Sequence, residues 1–230
     1  SVEGSTGTVV VYTPAGYSKE TAKKYPVYYL ISGTTDTEET FWKVGKVHLM
    51  LDNMIAQGKA KPMIVVMPYG NPMARIAEQK GGDKPSDVMS RDGEDALKRM
   101  KLFETDLITN IIPYVEKNYR VIANRDNRAI GGFSRGGGQT LRAAFNNVDK
   151  FAYVCSYASY ISPAEMDKSF TNITSNPDKT NKDFKLLWSG IGTEDFLYKG
   201  TTEWEAYLKD KKINVKTYAI PGGHTWMNVK

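Results

Sequence analysis

The sequence predicts an α/β fold in which a mostly parallel central sheet is flanked by helices on both faces. Short β-rich runs alternate with longer amphipathic stretches along the 230 residues, and this alternation is typical of parallel sheets with helical crossovers. Several of the short runs are almost continuously apolar, as strands covered on both faces are. The length suits one domain, so we expect residues 1–230 to form a single domain.

The predicted strands are the short runs of β-branched, aromatic and aliphatic residues. In chain order they span residues 8–13, 27–32, 63–67, 128–133, 151–156, 186–190 and 215–220. In open parallel sheets a ligand binds outside the carboxyl ends of the strands. The residues that directly follow each strand are therefore the first candidates for a functional site.

The predicted helices are the amphipathic stretches between the strands. They span residues 44–57, 94–118, 135–146 and 201–211. Pro113 is expected to interrupt the second helix, because proline lacks the N–H group that a helix interior uses. The remaining long stretches are predicted to be irregular loops, of the kind that often border a site. They span residues 34–40, 69–93 and 157–183.

Composition and charge argue against two classes of partner. The formal charge is +5, but lysines and acidic residues alternate without a run of one sign, so we expect no nucleic-acid binding. No apolar run reaches the roughly 18 residues that a membrane span needs, and the first residues lack the core of a signal peptide. The single cysteine, Cys155, cannot form an internal disulfide and lies in a predicted buried strand.

The strongest motif is Gly132-Phe-Ser134-Arg-Gly136, at the end of an apolar strand and the start of an amphipathic helix. This is the context of a nucleophile elbow, in which a tight turn exposes the serine at the crevice and the helix N-terminus favours negative charge. The alternative is a glycine-rich turn that binds phosphate or permits close packing. No Gly-Lys-Ser/Thr follows, and the motif lies too late for a dinucleotide fingerprint. We therefore predict that Ser134 is a nucleophile.

A serine hydroxyl needs a neighbouring base, and imidazole is the group suited to neutral pH. The sequence contains two histidines. His48 lies inside a predicted helix upstream of the serine and is interpreted as a helix-surface or core residue. His224 follows the last predicted strand, where a crevice residue is expected. We predict that His224 is the base.

The acid that orients the base is expected between the serine and the histidine, just after a strand. Asp195 follows the predicted strand 186–190 and lies 61 residues after Ser134. We predict that Asp195 holds the imidazole tautomer and stabilises the imidazolium. Glu194 is the local alternative, and Asp183 is less favoured because it precedes its strand.

A tetrahedral intermediate needs two N–H donors, usually one after the nucleophile and one after an early strand. Arg135 supplies the first through its backbone. The backbone N–H of Thr34, which follows the strand 27–32, is predicted to supply the second. Thr35 is the alternative donor and a candidate substrate contact.

Beyond the triad, six segments resemble the feruloyl esterases and acetyl xylan esterases of carbohydrate esterase family one, in the esterase D-like branch of the α/β hydrolases. They are YPVYYLISG (25–33), GKAKPMIVVMP (58–68), DLITNIIPYVE (106–116), RAIGGFSRGG (128–137), FAY (151–153) and GTED (192–195). Matched to this family, the nucleophile, acid and base fall on Ser134, Asp195 and His224. The resemblance implies an α/β-hydrolase fold over most of the chain.

Three positions depart from the pattern of this family. The usual His-Gly before the oxyanion loop is Ser32-Gly33 here, and the usual apolar residue after the nucleophile is Arg135. The Arg135 side chain could bind an anion or a neighbouring helix. The terminal helix that usually follows the histidine is missing after His224.

The resemblance implies hydrolysis of the esters that link ferulate to arabinose on plant xylan, through an acyl-enzyme and without metal or cofactor. Trp42 and Trp226 could wall a slot for the aromatic acyl group, although core packing is the favoured role of each. The implied partner is feruloylated arabinoxylan. The implied setting is a secreted or cellulosome-associated catalytic module of a longer chain, with carbohydrate-binding or dockerin modules attached.

Other activities stay open at this stage. An acetyl xylan esterase is the first alternative, followed by a thioesterase, an S-formylglutathione hydrolase or a siderophore esterase. The non-enzyme alternative is an inactive carbohydrate-binding relative, which the intact Ser134, Asp195 and His224 argue against. A peptidase of this fold would need an extra domain for which the chain has no room.

Overall fold

A computed structural model describes residues 6–79, 81 and 94–225. The chain divides into two compact units, Ser1–Ile122 and Ala123–Lys230. Within the described ranges, no helix is both long enough and apolar enough to cross a membrane.

The described part of unit 1 contains three strands: β1 (Val9–Tyr12), β2 (Val27–Ile31) and β3 (Ile64–Pro68). β2 and β3 run parallel, whereas β1 runs antiparallel to β3 with Val9 opposite Pro68. The start of β1 therefore lies beside the carboxyl end of β3. The described helices of this unit are α1 (Thr40–Lys43), α2 (Val47–Ala56), α3 (Pro72–Gln79), α4 (Glu94–Asp106) and α5 (Ile112–Asn118).

Up to residue 225, unit 2 contains four parallel strands that pair in chain order. They are β4 (Arg128–Phe133), β5 (Tyr153–Tyr157), β6 (Leu186–Gly192) and β7 (Lys216–Ile220). Its described helices are α6 (Arg135–Asn146), α7 (Pro163–Ser169), α8 (Thr171–Thr174), α9 (Pro177–Asp183) and α10 (Tyr198–Asp210). Phe133 is level with Tyr157, and Gly192 is level with Ile220. The loops that leave β4, β6 and β7 consequently emerge at one edge of these strands.

Each unit buries its own apolar residues. In unit 1 all five residues of β3 are buried, and Tyr29 and Phe103 are fully enclosed. In unit 2 α6 packs on β4 and β5, and α10 packs on β6 with Trp204 fully buried. The apolar runs of the sequence are thus covered, as parallel strands require.

The predicted fold class is confirmed. All seven predicted strands are present, with ends displaced by at most two residues, and β1 is the antiparallel member. The helix predicted over 135–146 has those bounds, and the helix predicted over 201–211 is Tyr198–Asp210.

The helix predicted over residues 44–57 is confirmed as α2, which begins three residues later and ends one residue earlier. The structure has α1 before this range and α2 from Val47 to Ala56. Between them Gly45 donates its N–H to the Thr40 carbonyl at 3.0 Å, and Lys46 adopts a left-handed φ of 51°. This geometry closes one helix and starts another, which the continuous apolar pattern did not indicate.

The predicted loops at 69–93 and 157–183 are also partly helical. The first contains α3, while residues 80 and 82–93 lie outside the described residues. The second contains α7, α8 and α9. Ser162 caps α7 by accepting the Glu165 N–H at 3.2 Å, and Asn176 caps α9. A proline follows each cap, so the start signals were present in the sequence but the helices were too short to show a period.

Pro113 changes the helix without ending it. The chain stays helical from Glu94 to Asn118, but Leu107–Ile111 forms a π-helical turn in which the Ile112 N–H donates to the Leu107 carbonyl. Pro113 cannot donate to a carbonyl one turn back and would clash with it. The wider turn just before the proline accommodates both effects.

Candidate active site

The loop between β4 and α6 holds Ser134 in a strained conformation. Its φ is 56° and its ψ is −119°, which is rare for a residue with a side chain. The Ser134 N–H donates to the Tyr157 carbonyl at 2.8 Å, which ties the turn to β5. Backbone strain of this kind persists where surrounding structure enforces it and is frequent at functional sites.

Close packing behind this turn depends on Gly137 in the first turn of α6. A Cβ at Gly137 would lie 2.7 Å from the Ser159 Cβ and 2.9 Å from the Gly132 carbonyl oxygen. The absence of a side chain therefore lets α6 start directly beneath β4 and the loop after β5. The nucleophile motif did not single out this third glycine.

The imidazole of His224 lies between the serine and an acid. Its Nε2 is 2.8 Å from Ser134 Oγ, and its Nδ1 is 2.6 Å from Asp195 Oδ2. The ring is stacked on buried Phe133, with the ring centroids 4.7 Å apart. The structure thus brings together the three residues predicted to form the triad.

Asp195 is held as a buried acceptor. Its side chain is 1% exposed, and its Oδ1 accepts the Leu197 N–H at 2.8 Å while Oδ2 faces the imidazole. A buried carboxylate in this place stabilises an imidazolium on His224 and selects its tautomer. The alternative acids lie elsewhere: Glu194 is exposed, and Asp183 ends α9 and pairs with Lys179.

The loops that carry the acid and the base are hydrogen-bonded to each other. Thr193 donates its N–H to the Ile220 carbonyl at 2.8 Å, and Glu194 donates its N–H to the Gly222 carbonyl at 3.0 Å. These two bonds extend the pairing of β6 and β7 beyond the strand ends. They fix the distance between Asp195 and His224 through the backbone.

The two predicted oxyanion donors lie at the start of a helix and in a turn after a strand. Arg135 is the first residue of α6, and the first N–H groups of a helix have no acceptor within it. Thr34 is half-buried in the turn after β2 in unit 1. The neighbouring Gly33 N–H donates to Asp36 Oδ2 at 2.7 Å.

Ser32, which replaces the usual histidine of the resembling family, has a defined role in this turn. Its hydroxyl donates to the Thr37 carbonyl at 2.9 Å, and the side chain is buried. Together with the contact between Asp36 and Gly33, this bond holds both ends of the loop.

The structure places the candidate substrate contacts in different surroundings. Trp42 is 38% exposed and stacks on His48 with ring centroids 3.8 Å apart, so its favoured role in core packing is wrong. His48 lies half-buried in α2. Thr35 is exposed, and Trp226 lies outside the described residues.

Phe196 is a site residue that the sequence interpretation missed. Its ring centroid is 4.6 Å from that of His224, yet the residue is 63% exposed. A large apolar side chain directly after the predicted acid was the available signal. In the described part of the chain, no group of three or more His, Cys, Asp or Glu residues is arranged to hold a metal ion.

Comparison with known proteins extends over nearly the whole chain. The Esterase family model matches residues 3–228. An endo-1,4-beta-xylanase/feruloyl esterase of Xylanibacter ruminicola is 32% identical over 86% of this chain, and endo-1,4-beta-xylanase Y of Acetivibrio thermocellus is 29% identical over 84%. The chain spans 27% and 16% of the length of these two relatives.

A solved structure shows the same fold. The feruloyl esterase module from Clostridium thermocellum complexed with sinapinate superposes with a TM-score of 0.74 at 24% identity, covering 97% of this chain and 84% of that chain. The likeness confirms the α/β-hydrolase fold predicted from the sequence. With the family match over residues 3–228, the chain belongs to the Esterase family.

Proposed function

We propose that this protein is a serine esterase that releases ferulate from arabinoxylan. The observation that carries the proposal is the chain of contacts from Ser134 through His224 to Asp195, with distances of 2.8 Å and 2.6 Å. The names of similar proteins, which include feruloyl esterases, support the choice of acyl group. We propose further that residues 1–230 act as one catalytic domain.

In the first half of the reaction, Ser134 Oγ attacks the ester carbonyl carbon while His224 Nε2 takes the hydroxyl proton. The buried Asp195 carboxylate stabilises the resulting imidazolium. The carbonyl oxygen becomes an oxyanion, for which the backbone N–H groups of Arg135 and Thr34 are the proposed donors. Collapse of the intermediate breaks the bond to the sugar oxygen, which takes the proton from His224 and leaves.

In the second half, a water molecule attacks the feruloyl carbonyl carbon of the acyl-enzyme. His224 takes a proton from this water and then returns it to Ser134 Oγ when the bond to the serine breaks. Ferulic acid is released and the free hydroxyl is restored. Every proton transferred in these two half-reactions passes through His224 Nε2.

Phe196 is the proposed contact for the aromatic ring of the acyl group. It combines 63% exposure with a ring beside His224, so a bound ring would cover apolar surface next to the reacting carbonyl. We retain Thr35, Trp42 and Trp226 as proposed substrate contacts. The exposed ring of Trp42 supports its place in this group.

The setting of the enzyme is proposed from the same comparisons. The relatives named as xylanases are several times longer than this chain. We propose that the protein acts outside the cell on plant cell-wall polysaccharide, in company with carbohydrate-binding or dockerin modules.

The test is turnover of methyl ferulate and p-nitrophenyl acetate by the wild-type chain, by Ser134→Ala and by Ser175→Ala. Ser175 is an exposed serine after α8 and serves as the matched control. Ferulate release should fall by about 10⁶-fold in the Ser134 variant and stay unchanged in the Ser175 variant. Turnover of the acetate alone would favour the acetyl esterase alternative, and no serine-dependent turnover of either would overturn the proposal.

A further inference from the structure

Unit 1 contains a cavity of about 550 Å³ whose wall includes none of the triad residues. It is bordered by the start of β1, the residue after β3, the first turn of α3 and the π-helical turn at Leu107–Ile111. Pockets for small-molecule ligands typically enclose about 300–1,000 Å³. This cavity therefore has room for a ligand of several rings, which is much larger than an ion.

Two polar residues of the wall, an acid and an amide, lie one helical turn apart. Asn110 donates from Nδ2 to Asp106 Oδ1 at 2.8 Å, which fixes both side chains. Among the described residues, neither Asp106 Oδ2 nor Asn110 Oδ1 has a protein hydrogen-bond partner. These oxygens can accept from hydroxyl groups, and the second N–H of Asn110 can donate to one.

Both residues owe their position to the π-helical turn. Asp106, Thr109, Asn110 and Ile111 all line the cavity and belong to this turn or directly precede it. π-helical turns are rare and are frequently found at functional sites. The irregularity that Pro113 causes in the helix thus shapes one wall of the cavity.

The aromatic part of the wall consists of Tyr69 and Tyr114. Tyr114 is 52% exposed, so its ring offers apolar surface to a ligand. Ring faces of this kind suit the C–H face of a sugar, because such a face is apolar while the hydroxyls point sideways to polar groups. Acid, amide and tyrosine together form the donor, acceptor and apolar set that a saccharide requires.

The charges of the wall disfavour an anionic ligand. Arg75 lies 4.7 Å from the centre of the Tyr69 ring and pairs with Glu38 at 3.2 Å. Its positive charge is therefore paired with the Glu38 carboxylate. The Asp106 carboxylate would repel an anion, so phosphates and uronic acids fit less well than neutral sugars.

We propose that this cavity, which none of the three triad residues lines, is a carbohydrate-binding site that holds a neutral oligosaccharide. The choice of a xylan chain as ligand rests on the proposed function. The recognition chemistry itself rests on Asp106, Asn110 and Tyr114. The site would then retain the polysaccharide between successive cleavages.

Binding can be measured without turnover. The full chain carrying Ser134→Ala is titrated with unesterified xylohexaose by calorimetry. The titration is repeated on three double variants, in which Tyr114→Ala, Asn110→Ala or Leu97→Ala is combined with Ser134→Ala. Leu97 is the matched control, since it lies on α4 with 58% exposure and is not part of the wall. We expect saturable binding that weakens at least about tenfold with the first two variants and is unchanged with the control.

Tyr114→Phe separates the ring from its hydroxyl and should keep most of the affinity. Absence of xylohexaose binding, equal binding by all variants, or tighter binding of glucuronic acid than of xylohexaose would overturn the proposal. Thermal unfolding of each variant shows whether it is folded. The Tyr114→Ala change is also made alone, with Ser134 intact, and this variant should turn over methyl ferulate at the normal rate. A failure of the proposed esterase activity would then be seen separately from a failure of sugar binding.

Discussion

Gly132 lies so close to Gly136 that a Cβ on Gly132 would stand 2.3 Å from the Gly136 carbonyl oxygen. The obstacle is backbone, and it belongs to the first turn of the helix that follows Ser134. The elbow therefore depends on this glycine for a steric reason, as the Gly-x-Ser-x-Gly pattern predicted.

Gly132→Ala should displace the turn and lower the kcat for methyl ferulate by at least about 100-fold, because a shift of about 1 Å in a reacting group has an effect of this size. The stability should fall as well, since the added methyl group overpacks the site. The measurement is steady-state kinetics with thermal unfolding. Gly7→Ala is the control, because a Cβ at Gly7 would meet nothing within 4 Å. Full activity in the Gly132 variant would contradict the steric argument.

Asp195→Asn should lower kcat by about 10⁴-fold, because an amide at this place favours the wrong imidazole tautomer and does not stabilise the imidazolium. The fold should persist, since asparagine is nearly the same size and can still accept the Leu197 N–H. Glu194→Gln, which changes the adjacent exposed acid, should leave kcat within about twofold. Equal losses in the two variants would contradict the assignment of the acid. Kinetics with methyl ferulate provide the comparison.

Phe196→Ala should raise the KM for methyl ferulate about tenfold, because a ring stacked on the acyl group is worth up to about 1.5 kcal/mol. Hydrolysis of p-nitrophenyl acetate should change much less, since its acyl group is a methyl. The measurement is kcat and KM for both substrates. If Phe196 instead only orients His224, kcat would fall equally for the two esters and KM would stay constant. That result would remove Phe196 from the proposed acyl slot.

The strands could be predicted, and the three proposed triad residues selected, because each depends on a local signal. Short apolar runs such as Ile64–Pro68 are distinctive, and Ser134, Asp195 and His224 all follow such runs at the carboxyl edge. Chain order and the position after a strand then gave their predicted roles. No spacing rule could supply the 2.6 Å contact to Asp195, but the edge placement made it expected.

The features that escaped prediction depend on tertiary structure or on very short elements. The helix α8 has four residues, which is too short for a hydrophobic period to appear. Phe196 belongs to no sequence motif, and its exposure beside His224 is decided by how two loops pair. The π-helical turn could be predicted only if the helix was known to continue on both sides of Pro113.

Glu205→Gln should stabilise the protein near neutral pH and not in acid. Glu205 is buried on α10, and burial raises its pKa above the ordinary value near 4.5, although the Ser189 hydroxyl and Lys209 act in the opposite direction. A raised pKa in the folded state means that the stabilising contribution is present below the unfolded pKa and is lost as pH rises through the folded pKa. The wild type therefore carries a destabilising buried charge near neutrality, and glutamine does not.

Melting temperatures between about pH 4 and pH 8 should show a higher value for the variant only at the upper end. Glu203→Gln, at an exposed position on the same helix, should show no such pH-dependent gain. A variant that is less stable than the wild type at neutral pH would mean that the Glu205 carboxylate is stabilised by its partners more than it is penalised by burial.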